Sequence, residues 1–244
     1  MASHPYYPLD ANLPGYEPNA AALPTVLALF GGITGGVVLL AYSAASRRRP
    51  ALRSLDCFAA AWFALCAFLH LCFEGYFVYY QGELVGKHTL FAMLWKEYGL
   101  SDSRYLTGDL FTLCIETITV VRLLLLPIPV PFTNKRGQKF AWGPLSLFTT
   151  LAIIFGSPSR HFLQILICMA HLYGVLLYYS TNWVDYRFSG ISYSRPEFLY
   201  YWVYYVGFNA PWFFVPLGLL YDSWSHITSA IVFQRDAQLT AKKE

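Results

Sequence analysis

The chain has 244 residues, 56% of them hydrophobic and 13% charged, with a mean hydropathy of +0.41 and a formal net charge of +3. This balance excludes an ordinary water-soluble domain and gives no basic surface of the kind that binds nucleic acid; it describes a polytopic protein of the lipid bilayer. The fold class expected is all-α: a membrane helix bundle with no second, soluble domain.

Residues 1–22, with Pro5, Pro8, Pro14 and Pro18, do not resemble a cleavable signal peptide and read as a lumenal N-terminal segment. Five apolar blocks have about the ~20-residue length a bilayer core requires: 23–43, 55–80, 106–126, 162–179 and 198–221. In the first, Gly31, Gly32, Gly35 and Gly36 give two overlapping G-x-x-x-G spacings, which serve either a homodimer seam or close packing within the bundle. Arg47, Arg48, Arg49 and Arg53 follow it and place that loop in the cytosol; five crossings then put the tail 225–244, with Arg235, Lys242 and Lys243, on the same side. The membrane domain is thus expected over 23–224. Cys57, Cys66, Cys72, Cys114 and Cys168 all lie in apolar blocks without metal-ligand spacing and read as small buried hydrophobes; neither a metal nor a disulfide framework is expected.

Ionisable groups inside such blocks are costly and are retained chiefly where they face a bundle interior and have a partner or a task. His70 and Glu74 are one helical turn apart in the second block, and Asp109, Thr112, Glu116 and Thr119 form a stripe in the third. Gln164, His171 and Tyr178 share a face of the fourth, and Tyr205, Asn209 and Trp212 a face of the fifth. Turned inward, these stripes would line a polar-bottomed cavity open to lipid. A lone His171 or Asn209 is more often an interhelical hydrogen-bonding group, whereas His70 with Glu74 and Glu116 makes a set able to hold a transferable proton.

Ala67-Phe-Leu-His-Leu-Cys-Phe-Glu-Gly-Tyr-Phe-Val-Tyr-Tyr80, Leu94-Trp-Lys-Glu-Tyr98, Asp102-Ser-Arg-Tyr105, Gly108-Asp109, Glu116-Thr-Ile-Thr119, Trp142-Gly-Pro-Leu-Ser-Leu147, Leu172-Tyr-Gly174 and Asn209-Ala-Pro-Trp212 run in order along most of the chain. In these words the chain resembles the emopamil-binding protein family, the sterol delta-8 to delta-7 isomerases of the endoplasmic reticulum. The resemblance implies a five-helix bundle whose cavity takes a sterol from the membrane and shifts its ring double bond by protonation, carbocation and deprotonation, without cofactor or metal. It implies His70, Glu74 and Glu116 as the catalytic groups, with His70 as the proton donor and Glu74 as the acceptor. Trp212, Asn209, Thr119 and Tyr105 would position the substrate or stabilise the cation, and Asp102, Arg104, Asp109 and His171 would support them. Amphiphilic amines, which imitate the cation, are expected ligands. The alternatives are a non-catalytic sterol- or amine-binding protein of the same superfamily and an isomerase or cyclase of another polycyclic terpenoid.

The chain departs from the family pattern in an insert at about 121–140, with Pro127, Pro129, Pro131 and a basic run Thr133-Asn-Lys-Arg-Gly-Gln-Lys139. Prolines at alternate positions end a helix, and an intron carried into the coding frame is one explanation. The apolar block 140–155 behind it would be a half-helix or a short sixth span, and a full sixth crossing would carry His171 and Asn209 away from the first stripes. Val175 stands where the family leads one to expect an acidic residue, and Lys242-Lys243-Glu244 only approximates a dilysine retrieval signal.

Overall fold

A computed structural model describes residues 4–119 and 142–242. Among them every regular element is helical, and four helices are long and apolar enough to cross a membrane. These are α1 (Leu23–Arg48), α2 (Ser54–Tyr80), α6 (Arg160–Ser189) and α7 (Leu199–Ala241). Between them come three shorter helices, α3 (Leu90–Tyr98), α4 (Leu110–Thr119) and α5 (Trp142–Phe155). Four of the five expected spans therefore appear as long apolar helices. The third does not begin at residue 106: Gly108 takes φ +74° and ends the turn Arg104–Thr107, so α4 starts only at Leu110. The insert at about 121–140 lies outside the described residues.

The local chemistry explains these boundaries. Thr89 caps α3 by accepting a bond from the Ala92 amide at 3.4 Å, and Asp109 caps α4 by accepting from the amide and the hydroxyl of Thr112, both at 2.7 Å. Basic Arg47 and Arg48 close the last turn of α1, where the helix dipole favours cations. Two segments of π-helix interrupt the long helices, Leu69–Glu74 within α2 and Leu199–Gly207 at the start of α7. Such wide turns recur at functional sites.

The buried staff of the bundle is α2. Its small residues Ala59, Ala60, Cys57 and Cys66 are almost fully enclosed by α1, α5, α6 and α7, because short side chains permit close helix approach. Running antiparallel to α2, α5 places Gly143 against Leu71 and His70, bonds Ala60 O through Thr150 Oγ1 at 3.4 Å, and accepts at Ile153 O from Arg49 at 3.5 Å. At Gly143 a Cβ would come within 2.8 Å of Leu71 Cγ and Cδ2, so any larger residue would force Leu71 to move. Beside the other half of α2, α4 is likewise antiparallel to it, running from Gln81 toward the π turn.

At that end of the bundle the N-terminal segment is stitched down. Lys96 Nζ donates to Glu17 O at 2.8 Å, Asn19 Nδ2 to Met93 O at 2.9 Å, and Ser103 Oγ to Tyr7 O. Tyr6 and Leu13 are buried in one cluster with Leu84, Trp95 and Tyr105. At the opposite end Asp56 joins Arg53 and Arg160, both at 2.7 Å, while Arg53 also reaches Asp222 at 2.9 Å; this network ties α2, α6 and α7 together.

Two expectations need correction. The glycines of α1 do not pack inside the chain, since a Cβ at Gly31, Gly32, Gly35 or Gly36 would meet nothing within 4 Å. All five cysteines are free, but only Cys57, Cys66 and Cys168 are buried; Cys72 and Cys114 lie on the outer surface, which in hydrocarbon suits a thiol equally well.

Candidate active site

A cavity of about 600 Å³ lies among α2, α3, α4, α6 and α7, with Leu27 and Phe30 of α1 and Trp142 of α5 also in its almost wholly apolar wall. Its lining brings together His70, Glu74, Glu116, Tyr105, His171, Asn209 and Trp212. The polar stripes thus meet, and α5 does not carry α6 and α7 away from α2. Ile118, Tyr173 and Phe208 also line the space and are half exposed or more on the outside of the bundle, so the cavity opens sideways between helices.

The π turn Leu69–Glu74 holds the first cluster. His70, 5% exposed, bonds Glu74 Oε2 through Nδ1 at 2.7 Å and faces His171 through Nε2, with Nε2 to Nε2 at 3.1 Å. One proton occupies that second bond. With His70 neutral and its Nδ1–H given to the carboxylate, His171 must donate from Nε2; with His70 protonated it donates both ways and His171 accepts. His171 Nδ1 is buried with no hydrogen-bond partner among the described residues. Both nitrogens of His70 are engaged, so its ring borders the cavity with neither nitrogen left over for a guest, and Glu74 lines the same wall.

On the facing helix, Glu116 is 6% exposed and accepts from Tyr105 Oη at 2.8 Å. Tyr105 lies in a stack with Trp95 and Phe73, the Trp95 ring 4.7 Å from Tyr105 and 4.4 Å from Phe73, and Trp95 Nε1 donates to Phe73 O at 3.0 Å. Asn209 follows the π segment of α7 and donates to Tyr205 O at 2.8 Å and to Tyr98 Oη at 3.3 Å; Tyr98 and Tyr178 share a bond at 3.2 Å. Trp212 leans on Trp62 at 5.1 Å between ring centres and presents an aromatic face to the cavity.

The supporting residues divide. Asp102 and Arg104 form a buried ion pair at 2.6 Å outside the lining, with the guanidinium 5.3 Å from the rings of both Tyr178 and Tyr193. Arg104 also donates to Thr181 Oγ1 at 3.2 Å, so the pair braces α6 beside the cavity. Asp109 is a helix cap, and Gln164 ties α6 to α7 by donating to Leu219 O and Ser223 Oγ, both at 2.9 Å. The side chain of Thr119 lies outside the described residues. Sequence reasoning passed over Glu97, Tyr98, Trp95 and Tyr204, which also line the cavity. The word Leu94-Trp-Lys-Glu-Tyr98 contained three of them, but nothing in its periodicity said which way α3 faced. Burial lifts the Glu97 carboxyl above its ordinary range, against the lowering effect of a 3.2 Å bond from Tyr204 Oη.

Fold and site together define a helical protein of the membrane class with an apolar chamber, in which acids and imidazoles from separate helices converge. Residues 138–223 match the family model EBP, the EXPanded EBP superfamily or EXPERA. The chain is 33% identical over 229 residues to the 3-beta-hydroxysteroid-Delta(8),Delta(7)-isomerase of Mus musculus, covering 93% of this chain and 90% of that protein. It is 34% identical over 221 residues to the enzyme of the same name from Cavia porcellus, covering 90% and 87%. Protoglabretal synthase of Ailanthus altissima is 28% identical over 237 residues, covering 96% of each. The chain belongs to the emopamil-binding protein family.

Proposed function

We propose that the protein is a sterol isomerase that moves a ring double bond from the delta-8 to the delta-7 position, within sterol biosynthesis in the endoplasmic reticulum membrane. The observation that carries this reading is the convergence of Glu74, His70 and His171 on one wall of the cavity with Tyr105 and Glu116 on another. A proton delivered to C9 of the delta-8 alkene leaves a cation at C8, and removal of a proton from C7 completes the shift with no net change in atoms or electrons. That chemistry asks for an acid, a base and electron-rich surroundings. Glu74, recharged through His70 and His171, and Glu116, held by Tyr105, fill the acid and base roles; the Trp212 face and the Asn209 amide border the cation. The isomerases of Mus musculus and Cavia porcellus support the substrate class.

The finer architecture follows the same reading. α4 and α5, of 10 and 14 residues, act as the two pieces of a single crossing beside α2, giving five crossings with the N-terminal segment lumenal and the tail cytosolic. Amphiphilic amines bind as mimics of the cation, and the open glycine face of α1 is where a second copy would pack.

Expression in cells lacking sterol isomerase, with delta-8 and delta-7 sterols followed by mass spectrometry, tests the proposal. Conversion by the intact chain and its loss in Glu74→Gln, with the variant still in the membrane, are the expected results; undiminished product from Glu74→Gln removes this mechanism. A second reading, an isomerase or cyclase of another polycyclic terpenoid, is favoured by the similarity to protoglabretal synthase over 96% of both chains. Feeding triterpenoid substrates to the same cells separates the two, and sterol binding without turnover would identify a non-catalytic member.

A further inference from the structure

The cavity has a second polar end that the proton chemistry does not use. There Glu97, in the last turn of α3, is half-buried and lines the space, and Tyr204 Oη at 3.2 Å is the hydrogen-bond partner of its carboxylate among the described residues. Neighbouring cations are committed elsewhere: Lys96 Nζ donates to Glu17 O at 2.8 Å, and Arg195 pairs with Glu197. Tyr98, Tyr178 and Asn209 are bonded to one another. Glu97 therefore has acceptor capacity to spare at this end of the cavity.

Its distance from the reacting cluster is set by the helices. Tyr204 and Trp212 both line the cavity from α7, eight residues apart, and His171 and Tyr178 from α6, seven apart; each separation is on the order of 10 Å at helical rise. A sterol is a rigid body with one hydroxyl on ring A and, in a delta-8 sterol, its alkene at the junction of rings B and C.

We propose that Glu97 is a binding and positioning residue that accepts the ring A hydroxyl of the sterol and so sets the alkene toward Glu74 and Glu116. This rests on the sterol isomerase reading and adds a specificity to it. A carboxylate accepts a hydroxyl proton and has nothing to offer a carbonyl oxygen, so the site selects a 3-hydroxy sterol over the otherwise identical 3-keto sterol.

The test compares the two sterols as substrates of the full chain in nanodiscs, for the wild type, Glu97→Ala, Glu97→Gln and Tyr204→Phe. A hydrogen bond to a charged group supports a preference of about 10- to 100-fold in kcat/KM for the hydroxy sterol. Glu97→Ala is expected to collapse that preference through a raised KM for the hydroxy sterol alone, with kcat little changed. Glu97→Gln, whose amide both accepts and donates, should keep the hydroxy sterol and gain on the ketone, a crossover that a merely structural role would not produce. Tyr204→Phe should act in the same direction as Glu97→Ala, but more weakly. Equal losses on both substrates, or an unchanged ratio in Glu97→Ala, overturn the assignment. Competition of the same two sterols against a radiolabelled sterol reads the preference without turnover. A wild type that binds with the predicted selectivity but converts neither sterol refutes the isomerase reading and leaves the anchor standing, whereas a wild type that binds neither refutes both.

Discussion

Replacing His171 by leucine probes the shared proton directly. The 3.1 Å bond between the two Nε2 atoms joins side chains 5% and 6% exposed, and leucine offers no polar atom in the lost partner's place. A bond between neutral groups contributes about 0.5–1.5 kcal/mol, and one to a charged group about 1.5–3 kcal/mol. In the proposed cycle His70 is an imidazolium whenever it recharges Glu74, and the larger range applies: at about 1.4 kcal/mol per tenfold, turnover should fall about 10- to 100-fold. Leucine preserves most of the wall's volume, so KM should move little and the effect should sit in kcat. His171→Gln, which can accept a bond in the same region, should recover much of the loss. The assay is conversion of a delta-8 sterol by purified protein in nanodiscs, with sterol affinity measured in parallel. If His171→Leu turns over within twofold of the wild type, or if leucine and glutamine lose activity equally, His171 has no part in carrying the proton.

Tyr105→Phe removes the donor to Glu116 and should lower kcat by about 3- to 15-fold, the equivalent of one neutral hydrogen bond, with the sterol still bound; steady-state kinetics check this. Gly143→Val forces side-chain atoms into Leu71 and the His70 turn, and overpacking of about 1–3 kcal/mol should appear as lost activity together with lowered thermal stability in detergent. Arg104→Met strands the Asp102 carboxylate in a buried site and should destabilise the protein by about 3–5 kcal/mol, read as loss of the monodisperse peak on heating. The joint replacement Asp102→Leu with Arg104→Met should recover stability while leaving the Tyr178 ring less well held.

Much of this was legible in the sequence because hydrocarbon enforces two rules at once: apolar length marks a crossing, and an acid within it turns inward. Those rules found α1, α2, α6 and α7, and placed His70, Glu74, Glu116, His171, Asn209 and Trp212 on lining faces. They could not find the π turn at Leu69–Glu74, since a spacing of four residues reads as an ordinary helical turn whether or not the backbone is widened there. Nor could they locate Glu97, whose side chain reaches the cavity from α3, a nine-residue helix too short for periodicity to fix its face. The pairing of His70 with His171 joins residues 101 positions apart and depends on how α2 meets α6, a register that neither sequence stripe contains. Asp109, on the same stripe as Glu116, shows what a stripe leaves open: its carboxylate accepts from the amide and hydroxyl of Thr112 at the start of the helix.

The N-terminal segment, pinned by Glu17, Asn19 and Tyr7 over the end nearest Trp95, has a consequence for traffic. With that end roofed, and with Leu27, Ile118, Tyr173 and Phe208 of the lining exposed on the outside of the bundle, a guest would come and go laterally through the acyl chains. The pool that supplies the chamber is then the surrounding leaflet, and under the proposed function its occupancy will follow the mole fraction of sterol in the bilayer instead of any concentration in water.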